Sequence, residues 1–436
     1  MQNFNAVEQK PETNFRWVVV ALLFFATSIN YIDRQVIGLL KPTLEKEFDW
    51  TDTTYGYITG FFQFFYAAGL LFFGRIVDKI GTKLGYVISI VIWSLAAMGH
   101  ALAKSTVGFT IARSALGAGE AGNFPVAIKA VAEWFPKKER ALATGIFNAG
   151  SNIGAVIAPI MVPWILGSYG WQEAFLITGA LGFIWLIFWW RLYEIPSRKK
   201  NLSKSEFDYI HSDVQDVATP GQKQITWMQL LRERQTWTFV VGKFMTDPIW
   251  WFFLFWLPGY FSDIYQLDLS KPGWPLVVVY TATTIGSIGG GYLSSAFIKA
   301  GWPVYKARKT TMLIVAFLVV PIIFIRYMPN MWSVVALISL AAAAHQAWSA
   351  NIFTTASDMF PKRAVSSVVG IGGMAGSIGG ILFQPLVGMI LDYFHNQGNK
   401  ALGYNIIFII CGFAYLIAWV IMNFISPRMK EVQLDT

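Results

Sequence analysis

Long apolar runs separated by short polar segments make up most of the chain, which has 436 residues. A helix needs roughly 20 apolar residues to cross the hydrocarbon core of a bilayer. Taken in order, the runs predict twelve transmembrane spans, at residues 17–40, 54–77, 83–103, 107–130, 141–166, 171–193, 237–262, 273–298, 308–328, 331–355, 364–391 and 402–426. The predicted fold class is therefore an all-α polytopic membrane protein, with twelve transmembrane helices in two six-helix bundles.

One long hydrophilic segment divides the spans into six and six. We predict an N-terminal six-helix bundle over residues 1–193, a cytoplasmic linker over 194–236 and a C-terminal six-helix bundle over 237–436. Within the linker, Ser203 stands three residues before Glu206, which is the spacing of a capping box. This spacing predicts that a short surface helix begins there.

An internal repeat indicates that the two halves are homologous. Glu133-Trp-Phe-Pro-Lys-Lys138 recurs as Asp358-Met-Phe-Pro-Lys-Arg363, 225 residues later. Downstream, Ala149-Gly-Ser151 recurs as Ala375-Gly-Ser377 at an offset of 226. Two repeat elements in register are typical of transporters built from two parallel halves.

Composition and charge exclude several classes of protein. Only 14% of the residues are charged, against about 25% in soluble proteins. Of the 34 Lys and Arg residues, we assign 26 to the side that carries both termini and the linker, and 6 to the other side. The positive-inside rule makes the first side cytoplasmic and explains the net charge without nucleic acid. The single cysteine, Cys411, excludes an intramolecular disulfide, and the sequence carries no metal, P-loop or cofactor motif.

Two pairs of charged residues stand out deep inside the predicted spans of the first half: Asp33 and Arg34 in the first span, and Arg113 and Glu120 in the fourth. Charge at bilayer depth costs at least a few kcal/mol and marks a functional site by default. Asp33 and Arg34 are adjacent and point about 100° apart on a helix, so each needs another partner or a ligand. Glu120 lies two turns from Arg113 on one face. A structural role for Arg113, as counter-ion to Glu120, is as consistent with the pattern as a functional one.

Uncharged hydrogen-bonding side chains at bilayer depth are candidates for contacts with a polyhydroxylated ligand. They are Tyr31, Tyr66, Asn148, Ser151, Asn152, His345 and Gln346, with Trp250 as an aromatic face for a sugar ring. Each is equally consistent with hydrogen bonding between helices. Asp247-Pro248 predicts an interruption of the seventh span, because proline removes a backbone donor.

A polar loop rich in glycine joins the second and third spans, over residues 74–83. Gly74 and Gly81 permit close approach and tight turns, and Asp78 can face a helix N-terminus. With Lys79, they form a spacing that resembles the signature loop of the major facilitator superfamily. That resemblance implies a gating role for the loop, and two bundles that rock about a site at the membrane midplane.

Further motifs resemble the anion:cation symporter family within that superfamily. They are Asn30-Tyr-Ile-Asp-Arg34, Arg113 with Glu120, Glu133-Trp-Phe-Pro-Lys-Lys-Glu-Arg140 and Leu202-Ser-Lys-Ser-Glu-Phe-Asp-Tyr-Ile210. The resemblance implies that Arg34 holds a substrate carboxylate, and that Asp33 and Glu120 handle protons. Residues 145–154, 247–250 and 344–347 look most like the hexuronate permeases, which carry glucuronate and galacturonate. Asp33 departs from some of those permeases and is more like the aldonate permeases.

The function that these observations favour is import of a hexuronate by proton symport with alternating access, in a bacterial inner membrane. The expected partners are the organic anion, the coupled ion and the lipid bilayer. We expect the protein to be a monomer and to have no enzymatic activity. Alternatives are an aldonate or small carboxylate as substrate and Na⁺ as coupling ion. A phosphate antiporter would want a second cation at bilayer depth, and we predict no intramembrane Lys or Arg in the second half, because Arg326 lies near a span end. A passive anion channel and a transporter-like nutrient sensor are alternatives from other classes.

In the predicted transport cycle, protonation of Asp33 directly controls whether the neighbouring Arg34 binds substrate. Protonated Asp33 leaves Arg34 free to take the substrate carboxylate. Inward release of the proton then restores the acid and weakens the hold on the anion, because the two negative groups compete for one guanidinium.

Overall fold

The computed structural model describes residues 13–212, 226–430 and 432. Nothing is described for nine side chains within these ranges, those of Gly74, Arg75, Asp78, Lys137, Lys138, Ala141, Lys362, Arg363 and Ser366. Every regular element in the described ranges is a helix, as the apolar runs predict.

Eight α-helices precede the linker. They are α1 (Phe15–Leu39), α2 (Lys41–Phe48), α3 (Asp52–Ile80), α4 (Thr82–Gly99), α5 (Thr106–Glu120), α6 (Asn123–Trp134), α7 (Lys137–Ser168) and α8 (Trp171–Leu192). A 3-10 turn at His100–Leu102 extends α4. Side-chain caps fix several of the starts: the hydroxyl of Thr51 accepts a hydrogen bond from the amide of Thr54 at α3, and Ser105 caps α5 in the same way.

The linker and second half contain nine α-helices. They are α9 (Lys204–Ile210), α10 (Trp227–Arg232), α11 (Arg234–Phe255), α12 (Leu257–Tyr265), α13 (Trp274–Lys299), α14 (Val304–Val319), α15 (Met331–Met359), α16 (Lys362–Asn396) and α17 (Lys400–Ile425). Two 3-10 segments, Pro196–Arg198 and Val320–Tyr327, complete the described helical structure.

Ten helices in the described ranges are long and apolar enough to cross a membrane. Two predicted spans are instead helix pairs: α5 and α6 form the fourth span, and α11 and α12 form the seventh. With these pairs, the helices correspond to the twelve predicted spans. Both interrupted spans carry buried charges, as does the uninterrupted first span.

The interruption of the fourth span lies between Glu120 and Asn123 and follows from close packing at glycine. A Cβ atom on Gly117 would stand 2.4 Å from the carbonyl oxygen of Phe62, and one on Gly119 would stand 2.6 Å from the amide nitrogen of Trp93. Only glycine permits backbones this close. The chain therefore turns where α3 and α4 press on α5.

The interruption predicted at Asp247-Pro248 is wrong in position. Helix α11 continues through Pro248 and ends at Phe255. Proline at 248 frees the carbonyl of Phe244, but the backbone of α16 covers both, because a Cβ on Gly379 would stand 2.4 Å from that oxygen and 2.7 Å from the proline ring. The break comes at Trp256, and Pro258 then begins α12.

Contacts between the first six spans and the last six close the end of the molecule opposite the termini. The carboxylate of Asp392 on α16 accepts hydrogen bonds from the amides of Asp52 (2.9 Å) and Thr53 (2.8 Å) at the start of α3. Lys400 on α17 lies 2.8 Å from both Asp52 and Asp263. Lys41 also pairs with Asp52, at 2.7 Å. We call Lys41, Asp52, Asp263, Asp392 and Lys400 the end cluster.

The linker helix α9 fastens the start of α1. Ser203 caps α9 and accepts from the amide of Glu206, as the spacing predicts. The Glu206 side chain does not return to its own cap, however. It is fully buried and accepts from the amides of Phe15 and Arg16, both at 3.0 Å. A carboxylate at a helix N-terminus satisfies free amides and opposes the helix dipole.

Candidate functional site

The centre of the site is an ion pair between α1 and α5. Arg34 donates from Nε to Oε2 of Glu120 at 2.7 Å, and its Nη2 lies 2.6 Å from the same oxygen. Nη2 also donates to Oδ1 of Asn30 at 3.2 Å. Arg34 is 1% exposed and Glu120 is 0% exposed. Two opposite charges held this close compensate for part of the cost of removing them from water.

Aromatic rings surround the guanidinium. The ring centres of Tyr31 and Tyr66 lie 4.8 Å from its central carbon, that of Trp251 lies at 5.1 Å and that of Phe62 at 5.3 Å. Cations bind favourably to aromatic faces at these distances. Trp251 belongs to α11 and the other three rings to α1 and α3, so helices of both halves form this box.

Open hydrogen-bonding capacity remains at the pair. Among the described residues, Nη1 of Arg34 and Oε1 of Glu120 have no partner although both are buried. Buried polar atoms in proteins are nearly always satisfied. The exceptions here point to a place that another group occupies, and the free guanidinium edge suits a carboxylate.

Arg113 does not pair with Glu120, which was one of the two roles that its position in the sequence leaves open. Its Nη2 donates to the backbone carbonyl of Arg34 at 2.8 Å. Its charged carbon lies 4.6 Å from the ring centre of Phe62. Arg113 therefore supports the backbone beside the site, and its field, rather than a contact, reaches Glu120.

Asp33 forms no ion pair or hydrogen bond with Arg34. It is 1% exposed, and neither carboxylate oxygen has a hydrogen-bond partner in the described part of the chain. Its electrostatic neighbours are Glu120, the hydroxyl of Thr178 on α8 and Arg113. The acid that contacts Arg34 is Glu120, so the direct switch from Asp33 to Arg34 in the predicted cycle does not match this geometry.

His345 and Trp250 form one unit on the second half. Their rings are parallel within 2° at a centroid distance of 5.3 Å. His345 Nδ1 and the hydroxyl of Tyr415 share a hydrogen bond. His345 is 3% exposed and its ring stacks on one face of Trp250, so it fixes the orientation of that indole. Gln346, next to it, is half-buried.

The polar residues of α7 follow one helical face. Asn152 is buried and its Oδ1 accepts from Thr283 of α13 at 3.5 Å, across the two halves. Asn148 lies one turn closer to the helix start and is exposed. Ser151 is buried, and its hydroxyl donates to the backbone carbonyl of Asn148 at 2.7 Å. Asn152 thus contacts the facing half, while the Ser151 hydroxyl is used within its own helix.

The loop between the second and third spans is far from the ion pair. Helix α3 ends at Ile80, and Gly81 has φ of 86°, a conformation that favours glycine. Lys79 is exposed. The structure does not describe the surroundings of Gly74 or the side chain of Asp78. The gating role of the loop therefore stays a prediction.

Three polar residues near the centre are missing from the sequence prediction of the site or were assigned elsewhere. Gln63 on α3 is 0% exposed, and within the described residues neither of its amide atoms has a partner. On α11, Lys243 lies 2.7 Å from Asp247. The predicted absence of Lys or Arg inside the second half is therefore wrong. Lys243 is ten residues into α11, and apolar residues on both sides of it are the signal that could have placed it there.

No group of His, Cys, Asp and Glu side chains in the described residues could hold a metal ion. A separate groove of about 370 Å³ lies between α1 and α8 and is lined by apolar side chains such as Val18, Phe25 and Phe188. It offers no partner to a charged or hydroxylated ligand. The polar, partly unsatisfied centre between the halves is the better candidate for a binding site.

Comparisons with known proteins agree with this arrangement. A family model described as Major Facilitator Superfamily matches residues 23–384. A hexuronate transporter of Escherichia coli K12 is 34% identical over 381 residues, which cover 86% of this chain and 88% of the relative. A galacturonate transporter of Dickeya chrysanthemi is 36% identical over 286 residues, covering 65% and 83%. The resemblance to hexuronate permeases is thus confirmed.

Two further comparisons widen the setting. A probable galactarate/D-glucarate transporter of Escherichia coli K12 is 27% identical over 444 residues, covering 98% of each chain. The crystal structure of a bacterial homologue of the human lysosomal transporter Spinster, inward-facing and occupied, superimposes with a TM-score of 0.77 at 18% identity and covers 97% of this chain and all of that one. At this identity the match supports the twelve-helix fold alone.

Proposed function

Because this chain belongs to the Major Facilitator Superfamily and is a multi-pass membrane transporter, we propose that it imports a sugar acid, a hexuronate such as glucuronate or galacturonate, by proton symport. The observation that carries this proposal is the Arg34–Glu120 pair, with one free edge on the guanidinium and one free oxygen on the acid. The free guanidinium edge of Arg34 matches one substrate carboxylate.

The proposed chemistry is an exchange of anions on Arg34. When Glu120 takes a proton, it no longer compensates the guanidinium, and the substrate carboxylate binds bidentately in its place. When Glu120 loses the proton, it competes again for Arg34 and expels the substrate. Asp33 is a second proton carrier, linked to Glu120 through their mutual repulsion.

Energetics favour coupling to a cation. Moving one negative charge into a cell costs about 2.3 kcal/mol per 100 mV of membrane potential. One proton cancels this cost, and two make entry favourable. Glu120 and Asp33 together supply two titratable sites. Na⁺ coupling is the competing hypothesis, and it would use the same carboxylates as ligands.

The proposed orientation puts both termini in the cytoplasm, on the evidence of the Lys and Arg distribution. The end cluster then closes the periplasmic side, and the central site opens toward the cytoplasm. Residues 1–193 and 237–436 would act as two bundles that rock about this site, with 194–236 as their cytoplasmic linker. The protein would act as a monomer in the bacterial inner membrane, without a cofactor.

Hydroxyl recognition is assigned to the uncharged side chains around the pair. Dehydrated sugar hydroxyls need directional partners. Gln63 offers both an unpaired donor and an unpaired acceptor. The remaining proposed contacts come from both halves, namely Tyr31, Tyr66, Asn148, Ser151, Asn152, Trp250, His345 and Gln346.

Uptake by proteoliposomes tests the proposal. Labelled glucuronate should accumulate when the interior is alkaline and Na⁺ is absent, and a protonophore should abolish the accumulation. Galacturonate should compete, and galactonate should compete less well. The matched control is Arg34→Ala, which should bind nothing. Accumulation that needs Na⁺, or that prefers galactonate, would replace this assignment with one of its competitors.

A further inference from the structure

A second buried ion pair lies on α11, in the opposite half from Arg34. Lys243 Nζ is 2.7 Å from Oδ2 of Asp247, one turn later on the helix. The Lys243 side chain is 7% exposed and that of Asp247 is 20% exposed. The lysine also lies over the ring of Phe353, 4.4 Å from its centre. A buried pair is a weak source of stability by itself, so its retention calls for another explanation.

The neighbouring helix is shaped around this pair. A Cβ atom on Gly376 of α16 would stand 2.2 Å from Oδ2 of Asp247, so glycine at 376 leaves room for that carboxylate. One turn earlier, a Cβ on Gly372 would stand 2.2 Å from the ring of Phe239 and 3.3 Å from Cγ of Lys243. Any larger residue at 376 would displace the carboxylate.

The pair faces the same space as the Arg34 site. Lys243, Asp247 and Trp251 are four residues apart and share one face of α11. Trp251 contacts the Arg34 guanidinium, and the field of Asp247 reaches Tyr66 on α3. The positive charge of Lys243 likewise acts on the imidazole of His345. Both charges are therefore felt by residues that surround the central site.

Lys243 lies eight residues before Trp251 on α11, a rise of about 12 Å along the helix. Because Trp251 contacts Arg34, a ligand that extends from Arg34 along this face of α11 approaches Lys243. A hexuronate has one carboxylate, whereas the related six-carbon diacids have one at each end. The second carboxylate needs a second cation.

We propose that Lys243 is a latent second carboxylate site and that Asp247, by occupying it, makes the transporter reject six-carbon dicarboxylates in favour of hexuronates. Asp247 takes the position that the second carboxylate would take, and repels that carboxylate as well. Specificity commonly depends on such a repulsive element as much as on attraction. This inference rests on the proposed function, because it concerns the far end of the same bound sugar acid.

The test is a comparison of two ligands on purified protein. Binding of glucuronate and of galactarate is measured for the wild type and for Asp247→Asn, which leaves Lys243 charged and unpaired. The affinity for galactarate relative to glucuronate should rise at least tenfold. The matched control is Asp358→Asn, which removes an acid from a more exposed pair with Arg308 in the same half. The ratio should not change in that variant.

A double variant separates attraction from repulsion and serves if Asp247→Asn alone does not fold. Lys243→Met with Asp247→Asn removes both charges, so galactarate should bind better than to the wild type but less well than to Asp247→Asn. An unchanged ratio in both variants, with glucuronate still bound, would overturn the inference and leave the proposed function intact. A wild type that binds galactarate as tightly as glucuronate would also overturn the inference. A wild type that binds neither ligand would overturn the proposed function and this inference with it.

Discussion

At the scale of single residues, the ion-pair partner of each buried cation decides whether a ligand anion can bind to it. Arg34 is neutralised by Glu120 and Lys243 by Asp247, so a ligand anion must displace an acid before it can bind. Leaving one partner of a buried pair alone costs about 3–5 kcal/mol. Protonation of the displaced acid avoids that cost, which is the physical basis for coupling substrate to protons in our account.

The planar arrangement of donors on the Arg34 guanidinium should contribute to substrate affinity as much as its charge does. Arg34→Lys keeps the positive charge but loses the planar pair of donors that a carboxylate accepts. We expect glucuronate affinity to fall by about tenfold or more, equivalent to at least about 1.4 kcal/mol, while the protein stays folded. Isothermal titration measures this. The control is Arg326→Lys, at an exposed position away from the site. A glucuronate affinity of Arg34→Lys equal to that of the wild type would contradict a bidentate contact.

The sequence identified the charged residues of the first half but not their partners. Depth in a span follows from counting residues, so Asp33, Arg34, Arg113 and Glu120 could be recognised as intramembrane charges. Which acid meets which base depends on how α1 and α5 are rotated, and a single sequence does not contain that angle. Lys243 was assigned to the cytoplasmic end of its span because basic residues usually lie there.

At the scale of elements, helix ends are tied by side chains from other elements. Glu206 of α9 accepts from two amides at the start of α1, and Arg16 of α1 pairs with Glu206 at 3.3 Å and with Glu139 of α7 at 3.0 Å. These contacts join the linker, the first span and the fifth span at one point. The short linker helix is therefore a structural clamp as well as a connection.

Removing the Glu206 clamp should destabilise the protein without changing substrate preference. Glu206→Ala leaves two amides and Arg16 without their buried acceptor, which we expect to lower the free energy of unfolding by about 2–4 kcal/mol. A thermal-shift assay in detergent measures the lower Tm, beside Glu47→Ala at an exposed position as control. Equal melting of the two variants would contradict the clamp.

The two interrupted spans show how far local sequence rules extend. Glycine at 117, 119 and 122 marks the turn in the fourth span, because close packing there requires glycine. In the seventh span the proline predicts a break in the helix at residue 248. The backbone of α16 covers the carbonyl that this proline frees, and the helix instead ends before Trp256. Tertiary packing overrides the local signal in that case, and the sequence alone cannot supply it.

At the scale of the whole molecule, the end cluster holds the two halves together on one side. Asp392 of α16 caps α3 of the other half, and Lys400 bridges Asp52 and Asp263. Burial opposes the charged form of the Lys41 ammonium, but Glu45 and Asp52 outweigh burial and raise the pKa of Lys41 above its ordinary value. The cluster therefore stays charged, and opening this end requires that water replace its contacts.

Weakening the end cluster should shift the balance toward opening of this end. Asp392→Asn keeps the size of the side chain but loses the charge and one acceptor at the amides of α3, so the closed end loses a charge-assisted cap. Spin labels at Lys46→Cys and Gln397→Cys, in a Cys411→Ala background, report the distance between the halves there. The longer-distance population should grow.

A control variant decides whether that shift is specific. Asp268→Asn removes an exposed acid on the same side of the membrane, whose contacts with Ser270 and the exposed Lys271 are local to its own loop. It should leave the distance distribution as in the wild type. A distribution that is unchanged by Asp392→Asn would contradict a role of the cap in keeping this end closed.

The central claim is that substrate binding to Arg34 requires a proton on Glu120. Proton uptake by the purified protein, followed with a pH indicator in weakly buffered solution as glucuronate is added, tests it most directly. We expect the wild type to take up protons when it binds glucuronate, and Glu120→Gln to bind glucuronate with a loss of that uptake. Binding by the wild type with no change in bound protons across a range of pH, or undiminished uptake in Glu120→Gln, would contradict it.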